Sequence, residues 1–466
     1  VNALWTAEAA ISATGGAGPG GWTATGLSID SRTLRAGDLF VALVGPTHDG
    51  HDHVGTAFAA GAVAALVHRD LGGDAGPTLR VPDTMTGLWD LARAARARGT
   101  NRIAAVTGSV GKTSTKELLA AALGSAAQTH ANLGNLNNHW GAPLSLARMP
   151  VEAAFGVFEL GMNQPGEIAP LSRLVRPAVA IVTAIGTAHL AFFDDVAGIA
   201  REKAAIVEGL GDGGAIILPR DSGHFEAMTA QARAQGVARV IGFGAHPMAD
   251  ARLIDVAPDA DGVSAVAMIG GRRIAYRVGA PGSQWAMNAL AALLAAEHLG
   301  VAAEQAAPRF ATVAAMAGRG RREELAWGDG RLQLIDESYN ASPLAVRAAI
   351  DTLGRAAPGP GGRRVLVLGD MLELGATAAE QHRALARDVL ARGIDRVHTA
   401  GPLAASLHAA LPSDQRGLAA ADAATLATAI AAELGPGDVV TVKGSLGSKL
   451  ASVVAAIRRA AGAEAA

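Results

Sequence analysis

Residues 106–114 read Val-Thr-Gly-Ser-Val-Gly-Lys-Thr-Ser, directly after the apolar run at 102–106 and ahead of a helix-like run at 116–123. Strand, glycine-rich turn and helix in that order make a loop that cradles phosphate. Gly108 and Gly111 permit a tight turn whose backbone N–H groups point inward, and the helix start adds its partial positive charge. The common pattern is a glycine, four residues, then Gly-Lys-Ser/Thr; here Val106 takes the first glycine position. Thr107, Gly108, Ser109, Val110, Gly111, Lys112, Thr113 and Ser114 are the expected nucleotide-binding residues. Lys112 can bridge the outer phosphates, and Thr113 can offer its hydroxyl to Mg²⁺. A guanine-reading Asn-Lys-x-Asp segment is absent from the chain, which favours ATP over GTP.

This loop belongs to open α/β sheets, and the rest of the chain agrees. Residues 154–159 and 178–183 are near-continuous apolar runs, as parallel strands covered on both faces should be. Residues 215–218 suggest another such strand. At 466 residues the chain has room for roughly three domains. Residues 1–100 read as a small α/β unit, with strands at 38–43 and 64–68, a helix at 57–62, and a helix at 87–98 ending at Gly99-Thr100. Residues 101–317 read as the phosphate-loop domain, with a β-hairpin insert at 252–278 and a helix at 286–299. Residues 318–466 open on a flexible basic junction, Gly318-Arg319-Gly320-Arg321, and carry strands at 332–336, 363–370 and 439–444. This is a second α/β sheet.

Composition removes several classes. Cysteine is absent, so disulfides, thiol catalysis and cysteine-ligated metals are excluded. Lys+Arg at 40 nearly balances Asp+Glu at 42, which gives no reason to expect nucleic acid or an anionic membrane as partner. The apolar run at 286–296 is too short to span a bilayer. No basic stretch followed by an apolar segment opens the chain, so a soluble cytoplasmic protein without membrane insertion is expected.

Glu159 stands where a buried strand ends. Ligands of open sheets bind at the carboxyl ends of strands, so its carboxylate should lie near the loop and suit Mg²⁺, an oxygen-seeking ion. His189 follows the strand ending near Thr183. Lys203 sits among charges and apolar residues, and alone reads as a solvated helix lysine. Asn132-Leu133-Gly134-Asn135-Leu136-Asn137-Asn138 reads either as a polar substrate-holding loop or as a plain asparagine-rich turn. The loop alone also permits a nucleotide-dependent switch or binding module in place of an enzyme.

Several separated blocks resemble the Mur ligases of peptidoglycan precursor synthesis. They are Asp30-Ser31-Arg32 and Asp49-Gly50-His51; Thr107 to Thr113; Asn132 to Asn138; Glu159-x-Gly161-x-Asn163; Ala188-His189-Leu190; Lys203; Trp285-Ala286-Met287-Asn288; Asp336-Glu337-Ser338-Tyr339-Asn340-Ala341-Ser342-Pro343; Gly369-Asp370-Met371-x-Glu373; and Lys443-Gly444-Ser445. His53 stands where that family often has Phe, and Gln284 where it often has His. The resemblance implies a three-domain α/β architecture with a central P-loop ATPase-like domain and a C-terminal Rossmann-like domain. It implies an ATP- and Mg²⁺-dependent amide ligase, acting as a monomer, that joins D-alanyl-D-alanine to UDP-N-acetylmuramoyl-tripeptide. Lys112, Glu159, His189 and Lys203 would be catalytic. Thr113, Glu159, His189 and Lys203 would hold metal, with Lys203 carbamylated by CO₂. Asn288 would lie on the adenine side. Ser31, Arg32, Asp49, Gly50, His51, Asn135, Asn137, Asn138, Asp336, Tyr339 and Asn340 would contact the two substrates.

Overall fold

A computed structural model describes residues 3–72, 76–99 and 101–463. The expected boundary residue Thr100 lies outside them. Three parallel or mostly parallel sheets follow one another along the chain, beside a two-stranded antiparallel pair, Trp5–Thr6 with Thr23–Ala24.

The first sheet is parallel, in the order Gly26–Ser28, Asp38–Val41, Ala64–Val67, Thr78–Arg80. The helix expected at 57–62 runs over Val54–Ala59 instead; it ends before 62 because Gly61 turns the chain at φ 98°. Helix Thr84–Ala97 is capped by Asp83, whose carboxylate accepts the Thr86 N–H at 2.7 Å.

The second sheet has nine strands. Its parallel heart runs Arg239–Gly244, Ala215–Pro219, Val179–Val182, Arg102–Thr107, Phe155–Glu159, Thr129–Ala131. Ala, Val and Ile fill these strands because helices cover both faces, and Ile103 to Val106 and Val179 to Val182 are completely buried. The expected hairpin at 252–278 is a three-stranded unit, Ala251–Pro258, Val263–Ile269 and Arg272–Val278, that extends the same sheet. Its first strand runs parallel to Arg239–Gly244, so it continues the sheet rather than standing apart. Thr129–Ala131 and Arg239–Gly244 were not anticipated, since both carry charged or polar residues on half-exposed faces.

The third sheet runs Arg321–Trp327, Gly330–Glu337, Val439–Lys443, Arg364–Gly369, Arg396–Ala400, Arg416–Ala420, parallel apart from its first strand. The flexible basic junction is therefore only partly a junction. Gly320 N–H bonds to Asp336 O at 2.8 Å and Tyr339 N–H to Gly318 O at 3.1 Å, so residues 318–320 form a turn tied to the third sheet, whose first strand opens at Arg321.

The cores divide unevenly. One continuous cluster joins Trp5, Leu27, Leu66 and Leu88 of the first unit to Leu144, Leu171 and Ile216 of the second. Polar contacts reinforce that seam: Trp5 Nε1 donates to Ala147 O at 3.0 Å, and Arg148 Nε to Leu27 O at 2.7 Å. The third unit keeps its own two clusters. The first two units thus share a core, while the third rests against them. Among the described residues, no helix is long and apolar enough to cross a membrane.

Candidate active site

Strand Arg102–Thr107 delivers the chain to the glycine loop, and helix Lys112–Leu123 leaves it. The helix starts four residues earlier than expected, so Lys112 and Thr113 form its first turn. Gly108 has φ 148° and Gly111 φ 85°. A Cβ on Gly108 would overlap Thr183 Oγ1, and one on Gly111 would come within 2.7 Å of Asn288 Oδ1. Glycine is required at both points by backbone conformation and by close neighbours. Thr183 clasps the loop by donating to Val110 O, and Ser109 Oγ donates to Gly186 O at 3.1 Å. Asn288, on helix Ser283–His298, stands against the loop at Gly111.

Lys112 Nζ donates to Gly108 O at 2.8 Å. Burial pulls its ammonium below the usual lysine range; Glu159 opposes that shift, and the positive charge of Arg319 adds to it. Arg319 comes from the third unit, and its guanidinium lies 4.1 Å from the centroid of the Tyr339 ring. In the sequence Arg319 reads as part of a linker; in the structure its charge bears on Lys112 of the second unit. The signal available was an arginine between two glycines ahead of the Asp336 block.

Glu159 is buried at the carboxyl end of its strand. Its carboxylate accepts the Thr113 hydroxyl at 2.7 Å and the Asn137 amide at 2.6 Å. Thr113 Oγ1 and Glu159 are two hard oxygen donors converging beside the phosphate loop. Mg²⁺ commonly takes one or two carboxylates and completes its shell with phosphate and water, so this pair fits it. No cluster of three or more His, Cys, Asp or Glu suited to a metal occurs among the described residues.

The asparagine-rich loop divides its work. Asn132 is buried; its Oδ1 accepts Glu159 N–H at 2.9 Å and its Nδ2 donates to Leu136 O at 3.0 Å. Lys116, also buried, donates to Asn132 O at 2.6 Å. Asn137 holds Glu159, while Asn138 Oδ1 accepts Gly141 N–H at 2.9 Å and fixes the start of helix Gly141–Ala147. Asn135 is exposed. The loop is thus an organiser of Glu159 as much as a polar surface.

Lys203 corrects its own sequence reading. It is 1 % exposed, not solvated, near the end of helix Val196–Ala204. Burial first, then the Lys112 charge, hold its amine well below the lysine range, against Glu202. The Glu202 carboxylate is committed to Gly166 N–H at 2.8 Å and Ile168 N–H at 2.9 Å. His189 has left-handed backbone, φ 66°, and its Nδ1 lies 2.6 Å from Glu373 Oε2 of the third unit. Glu373 is held below the usual carboxylate range chiefly by that bond.

In the first unit, Ser31 and Arg32 sit at the surface, with Arg32 Nη2 bonded to Asp30 at 2.6 Å. Gly50 is required because a Cβ would press on Leu43 N and O at 2.8 Å. His51 is different from its expectation. Its ring is buried, Nδ1 lies 2.6 Å from Asp49 Oδ1, and Nε2 accepts His68 N–H at 3.1 Å. Neither nitrogen is free for a ligand, so the residue braces the Asp49 loop. In the third unit, Asp336 accepts Ser338 N–H at 3.1 Å and Oγ at 2.6 Å, which shapes the loop that carries Tyr339 and Asn340. Lys443 Nζ donates to Glu337 at 2.9 Å and Asn340 O at 3.1 Å, tying the same loop to the last strand.

Family models match in three places: the Mur ligase family catalytic domain at residues 23–81, the Mur ligase middle domain at 106–296, and the Mur ligase glutamate ligase domain at 320–446. The chain belongs to the Mur ligase family. Within it, the chain is 35 % identical to the UDP-N-acetylmuramoyl-tripeptide–D-alanyl-D-alanine ligase of Bacillus subtilis (strain 168) over 435 residues, covering 92 % of each. It is 35 % identical to the ligase of the same name from Escherichia coli (strain K12), covering 94 % of each. A crystal structure of MurF from Acinetobacter baumannii superposes with a TM-score of 0.84 at 28 % identity, covering 98 % of this chain and 99 % of that one.

Proposed function

We propose that this chain joins D-alanyl-D-alanine to UDP-N-acetylmuramoyl-tripeptide, using ATP, in peptidoglycan precursor synthesis. The observation that carries the site reading is the Thr113–Glu159 bond in the first turn of the helix that Lys112 opens; Lys203 is buried and subject to the Lys112 charge, and Lys112 in turn is subject to the charge of Arg319 from the third unit. All these groups come from one chain. The units we assign are 1–100 for the UDP-sugar end, 101–317 for ATP and 318–466 for the dipeptide.

The terminal carboxylate of the tripeptide attacks the γ-phosphorus of ATP, the bond to the bridging oxygen breaks, and ADP leaves. The dipeptide amine then attacks the acyl carbon, loses a proton, and expels phosphate as the C–O bond breaks. The protein's part is positioning and charge neutralisation. Loop N–H groups and the helix start hold the phosphates. Lys112 turns from Gly108 O to the outer phosphate oxygens, and Arg319 adds a second cation. Ser31, Arg32 and Asp49 serve the UDP end, and Tyr339, Asn340 and the exposed Asn135 face the peptides.

Thr113 with Glu159, and His189 with Lys203, are the residues that would hold Mg²⁺. When bound, Mg²⁺ neutralises phosphate and carboxylate charge. Lys203 would contribute as a carbamate. Burial and the Lys112 charge disfavour its ammonium, the neutral amine is the form that adds CO₂ to give a carbamate and a proton, and the Lys112 charge favours that anion.

The test is isotopic. With ¹⁸O in the terminal carboxylate of the tripeptide, one labelled oxygen should appear in the released phosphate. Phosphate without label in a reaction that forms product would exclude the acyl phosphate.

A further inference from the structure

One contact joins the second and third units at the edge of the site and has no part in the chemistry above. His189 Nδ1 and Glu373 Oε2 are 2.6 Å apart. The Glu373 backbone carbonyl also accepts Ala191 N–H at 2.9 Å. Close by, the Thr187 hydroxyl donates to Gln381 Oε1 at 3.2 Å. Gly375 faces Ala191, where a Cβ would sit 3.6 Å from its Cα. His189 and Glu373 both hold left-handed backbone, at φ 66° and 63°, a conformation that side-chain-bearing residues rarely adopt. Each residue is thus turned towards the other by an unusual local backbone, one from each unit.

The chemistry of the pair follows from the two ring nitrogens. A nitrogen that bonds a carboxylate keeps its proton. The other then carries the lone pair and is the one able to ligate. Glu373 fixes Nδ1 as the donor and leaves Nε2 as the ligating nitrogen. Since Glu373 belongs to the third unit, this orientation exists only when that unit is docked. We propose that Glu373 is a positioning residue that sets the tautomer and ring direction of His189 from across the domain boundary, so that the His189 metal position is complete only after docking. ATP cleavage is then tied to the presence of the unit that brings the amine, which limits formation of an acyl phosphate exposed to water. The proposal rests on the reading of His189 as a metal ligand.

Mn²⁺ serves as the probe, titrated by electron paramagnetic resonance into the full chain with a non-hydrolysable ATP analogue and UDP-N-acetylmuramoyl-tripeptide. Glu373→Ala should weaken one class of Mn²⁺ by about tenfold or more, the usual scale for losing such a support. Glu373→Gln keeps an oxygen that accepts the Nδ1 proton and should restore most of that affinity. Turnover should follow the same order, with KM for ATP unchanged. Gln381→Ala removes a neighbouring cross-domain bond without touching the ring and should leave Mn²⁺ affinity unaltered. His189→Ala is the reference and should lose the same class. If His189→Ala changes nothing, the ligand reading itself fails and the proposal falls with it. If His189→Ala weakens binding but Glu373→Ala does not, or Gln381→Ala weakens it equally, the ligand reading stands and the proposal alone is overturned.

Discussion

Replacing Asn132 with Ala should damage both stability and turnover through the backbone groups that its side chain holds. The strand Thr129–Ala131 stops pairing with its neighbour at Ala131 opposite Val157. Beyond that point the Asn132 side chain takes over, with Oδ1 accepting Glu159 N–H at 2.9 Å and Nδ2 donating to Leu136 O at 3.0 Å. The residue is 1 % exposed, so water cannot replace it easily. Ala leaves one donor and one acceptor unpaired, each costing about 1–3 kcal/mol when buried. A net loss of about 3 kcal/mol is expected. For a unit of this size, roughly 2–4 °C per kcal/mol gives a fall of roughly 6–12 °C in its calorimetric transition. Releasing the Glu159 backbone also frees its carboxylate from Thr113, so turnover should fall at least about tenfold, an effect of ~1.4 kcal/mol. Hydrogen exchange across 155–162 should quicken. Leu133→Ala, at a side chain 68 % exposed, is the control and should stay within about 0.5 kcal/mol. A transition within 2 °C of the parent and turnover within about twofold would refute the reasoning, since about 3 kcal/mol cannot hide in either.

Three further outcomes are expected. Gly108→Ala should lose ATP binding by more than about tenfold, and adding Thr183→Ala should not restore it, because the φ of 148° remains unfavourable once the clash is gone; calorimetric ATP titration decides it. Lys203→Ala should lower turnover at least about tenfold, with partial recovery on adding formate or acetate, and ¹³CO₂ should give a carbamate carbon resonance that the variant lacks. His398 is buried, accepts Leu418 N–H at 3.0 Å, and is pushed down to about 4 from 6.5, chiefly by burial. Its folded pKa lies below its unfolded one, so its contribution is whole above pH 6.5 and is lost as pH falls towards 4. Going from pH 7.5 to 5.0 should cost the third unit about 2 kcal/mol, a slope that His398→Asn should flatten in denaturant titrations.

Much of the architecture was legible because buried parallel strands are written in runs such as Ile103 to Val106, and a phosphate loop in closely spaced glycines. The edges were not. Thr129–Ala131 carries too few apolar residues to show a period, Arg416–Ala420 is a short edge strand of small residues with no fully buried position, and Arg321–Trp327 is hidden behind the charges of its exposed face. Local pattern also misjudged Lys203, since a lysine flanked by Glu202 looks solvated until the fold closes over it. The asparagine loop shows the same limit from the other side. Composition announced a polar loop, but only the tertiary structure separates the buried Asn132, which orders Glu159, from the exposed Asn135. His51 and Arg319 resist a reading from sequence for a like reason: the histidine's two nitrogens are taken by neighbours distant or adjacent in sequence, while the arginine's charge bears on Lys112 from another unit.

This site couples ATP cleavage to amide formation. The direct measurement is ADP and phosphate release by the purified chain with ATP and Mg²⁺, adding UDP-N-acetylmuramoyl-tripeptide and D-alanyl-D-alanine separately and together. Sustained release only when both are present, in equal amounts with the pentapeptide product and abolished by Lys112→Ala, is the result predicted. ATP turnover that is indifferent to both substrates would contradict it and would leave the loop as the device of a nucleotide switch.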